Sequence, residues 1–301
     1  MERFLQALFL GLGNGSIYAL LAIGFVVVYK STLVINFAQP ALMIAGGLTV
    51  SILAVSLGWN FYLAVVVAVV LTAAIALLAE RLAMRPMVGK PVFAAAIVTL
   101  GLDIILRNVE NRIIGSFLRQ TGAPFGLDTV EVGGVVLFVR DLAAIAVTAA
   151  LVAALFAFFK YSRVGLAMRA TAFDQEVALA QGINVGTVFA LSWAIAGALA
   201  AVAGVFIGAK SGIDQTTFAQ AFKALPAIIL GGLDSVGGAV IGGLLIGVVE
   251  AMFATYQGAG PGQGMAFLGN NFSTVSPYLI MLAVLLFRPY GLFGTPEVER
   301  V

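Results

Sequence analysis

From Leu5 to Tyr29 the chain carries no Lys, Arg, Asp or Glu, and comparable apolar runs recur to its end. A run of roughly 20 such residues crosses a bilayer as a helix. Hydrophobic residues make up 61% of the 301 residues and charged residues only 10%, with a mean hydropathy of +1.09. Soluble domains average about 25% charged residues. That much apolar surface cannot be hidden in one water-soluble core, so lipid is the solvent for most of the chain. The expected fold is therefore all-α, a polytopic membrane helix bundle forming one transmembrane domain over residues 1–301.

Nine crossings follow from the pattern: Leu5–Tyr29, Ala41–Leu57, Phe61–Leu78, Val92–Leu106, Leu142–Phe159, Val188–Ile207, Phe218–Gly232, Val240–Tyr256 and Val275–Phe287. The seventh is short, with Lys223 and Pro226 inside it. It reads as bent or re-entrant, which leaves eight or ten as alternatives. No basic region precedes the first run, which reads as a retained span rather than a signal peptide. Between Asn108 and Arg140 the chain is mixed, and VEVGGVVLFV reads as a small hairpin covering one end of the bundle. Glycines recur four apart at Gly11/Gly15, Gly204/Gly208, Gly238/Gly242 and Gly243/Gly247, a spacing that lets helices approach closely.

The stretch from Lys160 to Gly186 is polar by comparison and lies between two apolar runs. Leu166, Ala170, Phe173, Val177 and Ala180 share one helical face, with Gly165 before the helix and Gly182 as its stop. This predicts a short amphipathic helix outside the lipid, lying either in the headgroups or against a soluble protein. Placing it in the cytoplasm puts Lys30, Arg81, Arg85, Lys90, Lys160, Arg163, Arg169, Arg288 and Arg300 on that side. The other seven of the 16 basic residues fall outside, so the orientation is only weakly set, with the N-terminus outside.

The chemistry available is narrow. With no Cys and no His, the chain lacks thiol nucleophiles, imidazole bases and the usual transition-metal ligands, and no catalytic set or metal spacing is visible. The glycine-rich run Leu230–Gly243 lacks the Lys-Ser/Thr pair of a phosphate loop. A net charge of +2 with scattered basic residues does not suit nucleic acid. Polar residues do stand at membrane depth. Asn14, Ser16 and Tyr18 lie in the first run, and Asn36 and Gln39 lie in the turn after it. They line a route through the bundle or bond a neighbouring helix. Asp103 and Arg107 are four apart and can pair, and Glu250 needs a partner or water. A proton-driven carrier would have to use Asp103 or Glu250, and a membrane scaffold would carry no solute at all.

Four stretches carry a family resemblance: GLGNGSIYALLAIGFVVVY, VINFAQPALMIAGG, RATAFDQEVALAQGIN, and ALPAIILGGLDSVGGAVIGGLLIGVVE followed by LLFRPYGLFG. In order and spacing they resemble the permeases of branched-chain amino-acid ABC importers, of the LivH type in the hydrophobic amino acid uptake family. The resemblance implies a subunit that is not itself an enzyme and binds no cofactor. ATP and Mg would be used by two cytoplasmic ATPase subunits. A second related permease, a periplasmic solute-binding protein and the lipid of a bacterial inner membrane would complete the setting. It implies that residues 160–186 form the cytoplasmic coupling loop, with Gly165, Arg169, Ala170, Asp174, Ala178 and Gly182 in its motif. Family members often have Ala-His-Gly where this chain has Ala38-Gln39-Pro40. If that turn lines the route, the solute differs from Leu, Ile or Val. Urea, amides and small carboxylates are carried by relatives.

Overall fold

The computed structural model describes residues 2–87, 90–258, 264–265 and 271–295. Arg300 and most of the glycine-rich loop Gln257–Thr274 lie outside the described residues. Among the described residues, seven helices are long and apolar enough to cross a membrane, and two shorter apolar helices, Phe218–Gly231 and Phe272–Phe287, accompany them. The chain is a multi-pass helical membrane protein.

In chain order the helices are α1 (Glu2–Thr32), α2 (Gln39–Val50), α3 (Phe61–Ala79), α4 (Val92–Ile114) and α5 (Val139–Tyr161). Two short helices, α6 (Arg163–Phe173) and α7 (Gln175–Ala180), lead into α8 (Val185–Lys210). Then come α9 (Phe218–Phe222), α10 (Ala224–Gly231), α11 (Val236–Tyr256) and α12 (Phe272–Phe287). Most starts are written locally. Asn60, Ser162, Asp174, Asn184 and Ser235 each accept a backbone N–H of the first turn of α3, α6, α7, α8 and α11. Pro40 stands in the first turn of α2, where a missing N–H costs nothing.

One departure from the sequence pattern matters, and the bend expected in the seventh segment is located. The third span does not stop at Leu78. Wide π turns at Glu80–Met84 and a 3-10 turn at Arg85–Met87 carry it on, so Glu80 belongs to a buried wall. The seventh segment is broken at Lys223 into α9 and α10.

Contacts gather the chain into two compact units. The first comprises residues 1–23, 125–146 and 222–301. Its hairpin pairs β1 (Thr129–Val132) with β2 (Val135–Phe138) in antiparallel register, Thr129 opposite Phe138. Gly133 and Gly134, at φ 59° and 82°, make the two-residue turn, a conformation that L side chains rarely adopt. In this unit α11 packs against α10 and α12. The glycine pairs of α1 and α11 meet each other: a side chain on Gly15 would strike Leu244 Cα at 2.7 Å, and one on Gly243 would strike Ala19. Two spacings far apart in sequence thus form one close helix crossing.

The second unit comprises residues 24–124 and 147–221. Here α8 packs along α2 and α3, and α2 also touches α3 and α4. The α8 span is 67% buried and that of α4 only 17%, so α8 is central and α4 turns its apolar side outward. Glycine again sets the separations. Gly46 lies on Ala201, Gly47 on Gly204, and Gly197 on Thr72 and Ala76.

Candidate functional site

The segment expected as one amphipathic helix is two. Asp174 ends α6 with an extended backbone, and its Oδ1 accepts the N–H groups of Glu176 and Val177, each at 2.9 Å, to start α7. Most of the apolar face read from the sequence is turned outward. Gly165, Met168, Thr171 and Ala178 are buried, whereas Leu166, Phe173 and Val177 are exposed, Phe173 at 94%. The cause is local. Gly165 sits against the carbonyl of Phe158 and Cα of Phe159, so the chain folds back tightly after α5 and turns the small side inward. Ala178 joins Val185 and Phe189 in a small cluster. Gly182, at φ 80°, stops α7. Arg169 is exposed and Ala170 is half-buried. Gln175 Nε2 donates to the Ser31 carbonyl at 2.9 Å, tying the start of α7 to the end of α1.

In the first unit, Ser16 is buried and donates to the Leu12 carbonyl one turn back, at 2.8 Å. Asn14 is half-buried. Tyr18 donates its hydroxyl to Glu250 Oε2 at 2.7 Å, and Lys223 Nζ lies 2.5 Å from Glu250 Oε1. Glu250 thus has a partner on each oxygen. The sequence offered both residues but not the pairing, because the break between α9 and α10 is what aims Lys223 inward.

In the second unit, Asn36 and Gln39 are fully buried. Asn36 Oδ1 accepts the Ala38 N–H at 3.1 Å, and its Nδ2 donates to Gln39 Oε1 at 3.4 Å. Gln39 Nε2 donates to the Ala196 carbonyl at 3.1 Å, clamping α2 to α8. Gly24 lies directly on that amide, so a larger residue there would displace it. Asp103 and Arg107 pair along α4, as their spacing allows, and the Arg107 guanidinium stacks 3.9 Å from the Phe218 ring.

Among the described residues, sequence reasoning missed three buried acids, Glu80, Glu110 and Asp141. Glu110, one turn beyond Arg107, has both oxygens buried without a hydrogen-bond partner among the described residues. Glu80, 1% exposed, lines a cavity in the second unit. The available signal was an acid at the edge of each apolar run, Glu80 after the third and Glu110 after the fourth.

Known proteins place the chain. The family model described as "Branched-chain amino acid transport system / permease component" matches residues 7–287. The chain is 33% identical to the high-affinity branched-chain amino acid transport system permease protein LivH of Escherichia coli K12, covering 99% of this chain and 98% of that protein. It is 33% identical to the permease protein BraD of Pseudomonas aeruginosa, over the same shares of the two chains. A probable LivH permease of Methanocaldococcus jannaschii is 32% identical, over 93% of this chain and 89% of that protein. A helical multi-pass chain with a glycine-packed core, matched along nearly its whole length, belongs to the permease components of branched-chain amino acid transport systems.

Proposed function

We propose that this chain is one of two related permease subunits of an ABC importer that carries branched-chain amino acids across a bacterial inner membrane. The observation that carries the reading is the match, end to end, with permeases named for that transport. Nine crossings are proposed, with α9–α10 and α12 as the two short ones. The subunit itself binds no cofactor and catalyses no reaction. Two ATPase subunits hydrolyse Mg-ATP on the cytoplasmic side, and a periplasmic binding protein delivers solute. The exposed Leu166, Phe173 and Val177 suit docking on an ATPase, with Arg169 and Asp174 at its polar margin. ATP then biases the importer between two states through α6–α7, a bias that requires the ligands to bind those states unequally.

Uptake of radiolabelled leucine into proteoliposomes of the complete importer is expected to need internal ATP and external binding protein. Asp174→Asn keeps the helix cap but removes the charge, so it separates the two roles. It should lower binding-protein-stimulated ATP hydrolysis severalfold, as should Arg169→Ala, at unchanged membrane levels. Normal coupling in both would remove these two residues from the docking surface. Proton-driven uptake by the chain alone would overturn the importer reading. That alternative draws no support from Glu250, whose two oxygens are engaged by Lys223 and Tyr18, while Asp103 pairs with Arg107 through Oδ2 alone.

Asn14, Ser16, Tyr18, Asn36 and Gln39 are proposed as the polar positions nearest the route. The chain has no native cysteine, so single cysteines can be read cleanly. Asn14→Cys is expected to react with small thiol reagents at a rate that changes with nucleotide, and Asn36→Cys far more slowly, because Asn36 is fully buried. Uniform protection along the set would place the route elsewhere. A second reading, the same importer class with another small polar solute, rests on Ala38-Gln39-Pro40. Stimulation of ATP hydrolysis by a different solute on its binding protein, without leucine uptake, would favour it.

A further inference from the structure

A cavity of about 180 Å³ lies within the second unit, between the turn Thr32–Val34, the π turn of α3, the start of α4, Gln175 and α8. It is smaller than the roughly 300–1,000 Å³ that takes a drug-sized ligand, and its scale suits a single amino acid. Two buried polar groups line it without a hydrogen-bond partner among the described residues: Glu80 Oε1 and the Trp193 indole N–H. Arg85 Nε is 3.6 Å from that oxygen, an ion-pair distance too long for a hydrogen bond. Lys90 adds a cation to the lining, while Val34, Met84, Val92 and Phe189 supply an apolar wall. Buried polar atoms in proteins are normally bonded, so unpartnered ones at a cavity point to an occupant. Local backbone supports this. Glu80 opens a π turn, a form frequent at functional sites. Leu33 adopts φ 57°, strained for a branched side chain.

We infer that this cavity binds a free α-amino acid with an apolar side chain. Its ammonium would donate to Glu80. Its carboxylate would accept from the Trp193 indole and face Lys90, and its side chain would meet the apolar wall. Gln175, which opens α7, is part of the lining. A ligand here holds α3, α8 and the coupling segment in one arrangement and disfavours any other. Resting on the transport reading above, the cavity is then a feedback site on the side where imported amino acid accumulates, and its occupation slows import.

The test uses the complete importer in proteoliposomes containing ATP, with leucine either absent from or loaded into the lumen. Luminal leucine should lower the initial uptake rate severalfold. Glu80→Gln and Trp193→Phe should each raise the half-inhibiting concentration by about tenfold or more, since the first removes the carboxylate charge facing the ammonium and the second removes the donor to the carboxylate. Equilibrium binding of radiolabelled leucine to the solubilised importer without binding protein should be saturable and weakened by the same variants. Failure of uptake with empty lumens would sink the transport reading. Uptake that ignores luminal leucine, or inhibition and binding unchanged in both variants, would overturn this inference alone. A cavity holding only water gives that second result.

Discussion

Lys223→Met should cost the folded permease about 3–5 kcal/mol, the usual consequence of leaving a buried charge without its partner. Lys223 and Glu250 are both largely buried, at 17% and 12% side-chain exposure, and the lysine supplies the only cation paired with that carboxylate among the described residues. Once it is removed, Glu250 keeps only the Tyr18 hydroxyl on Oε2. Glu250→Gln should hurt for the mirror reason, by stranding Lys223. The double variant Lys223→Met/Glu250→Gln removes both charges and should regain most of the loss, because the two effects are coupled. Tyr18→Phe should cost less, about 1.5–3 kcal/mol for one hydrogen bond to a charged acceptor. Thermal unfolding followed by size-exclusion of the detergent-solubilised chain checks all four. A melting point for Lys223→Met equal to that of the parent would show that water, not the lysine, satisfies Glu250.

Gly204→Leu should be of comparable severity. A Cβ at that position meets the Met43 carbonyl and, at 3.0 Å, the Gly47 N–H of α2. The relation is reciprocal, since a Cβ on Gly47 meets the Gly204 carbonyl at 2.6 Å. The obstacles are backbone atoms, which no rotamer change can move aside. The helices must separate, taking Gly46 off Ala201 along the same crossing. Overpacking commonly costs about 1–3 kcal/mol, and a backbone clash between central helices belongs at or above the top of that range. Gly101→Ala is the control. Nothing lies within 4 Å of its Cβ position, so it should be neutral or gain up to about 1 kcal/mol of helix propensity. Equal loss in both variants would mean that the backbone contact of Gly204 with α2 is not what governs these glycines.

Both predictions rest on features that were half visible beforehand. The spacing of Gly204 and Gly208, and of the pairs in α1 and α11, announced close crossings. It did not say which helices meet, because a small-residue face fits any other small face. Glu250 announced that it needed a partner. Lys223 was in view but was read as part of an ambiguous segment, and only the break between α9 and α10 brings it to the carboxylate. The amphipathic stretch was recognised, but not that Asp174 divides it into two helices. The tight turn at Gly165 leaves Gly165, Met168 and Thr171 buried and Phe173 outside. The sequence left Gln39 either to line a route or to bond a neighbouring helix, and only the fold shows its amide reaching the Ala196 carbonyl of α8.

Properties decided within one or two turns were present in the amino-acid order: the apolar lengths, the capping Asn, Ser and Asp residues, the Gly-Gly hairpin turn, the pairing of Asp103 with Arg107 and the stop at Gly182. Each depends on neighbours a few positions away, where helix and turn geometry leave little choice. Tertiary structure decided the rest. Tyr18 and Glu250 are 232 positions apart, and Gln39 and Ala196 are 157 apart. The cavity beside Glu80 draws its walls from five separate segments. No local rule specifies such meetings, because they depend on which helix faces come together once all the apolar runs share one membrane.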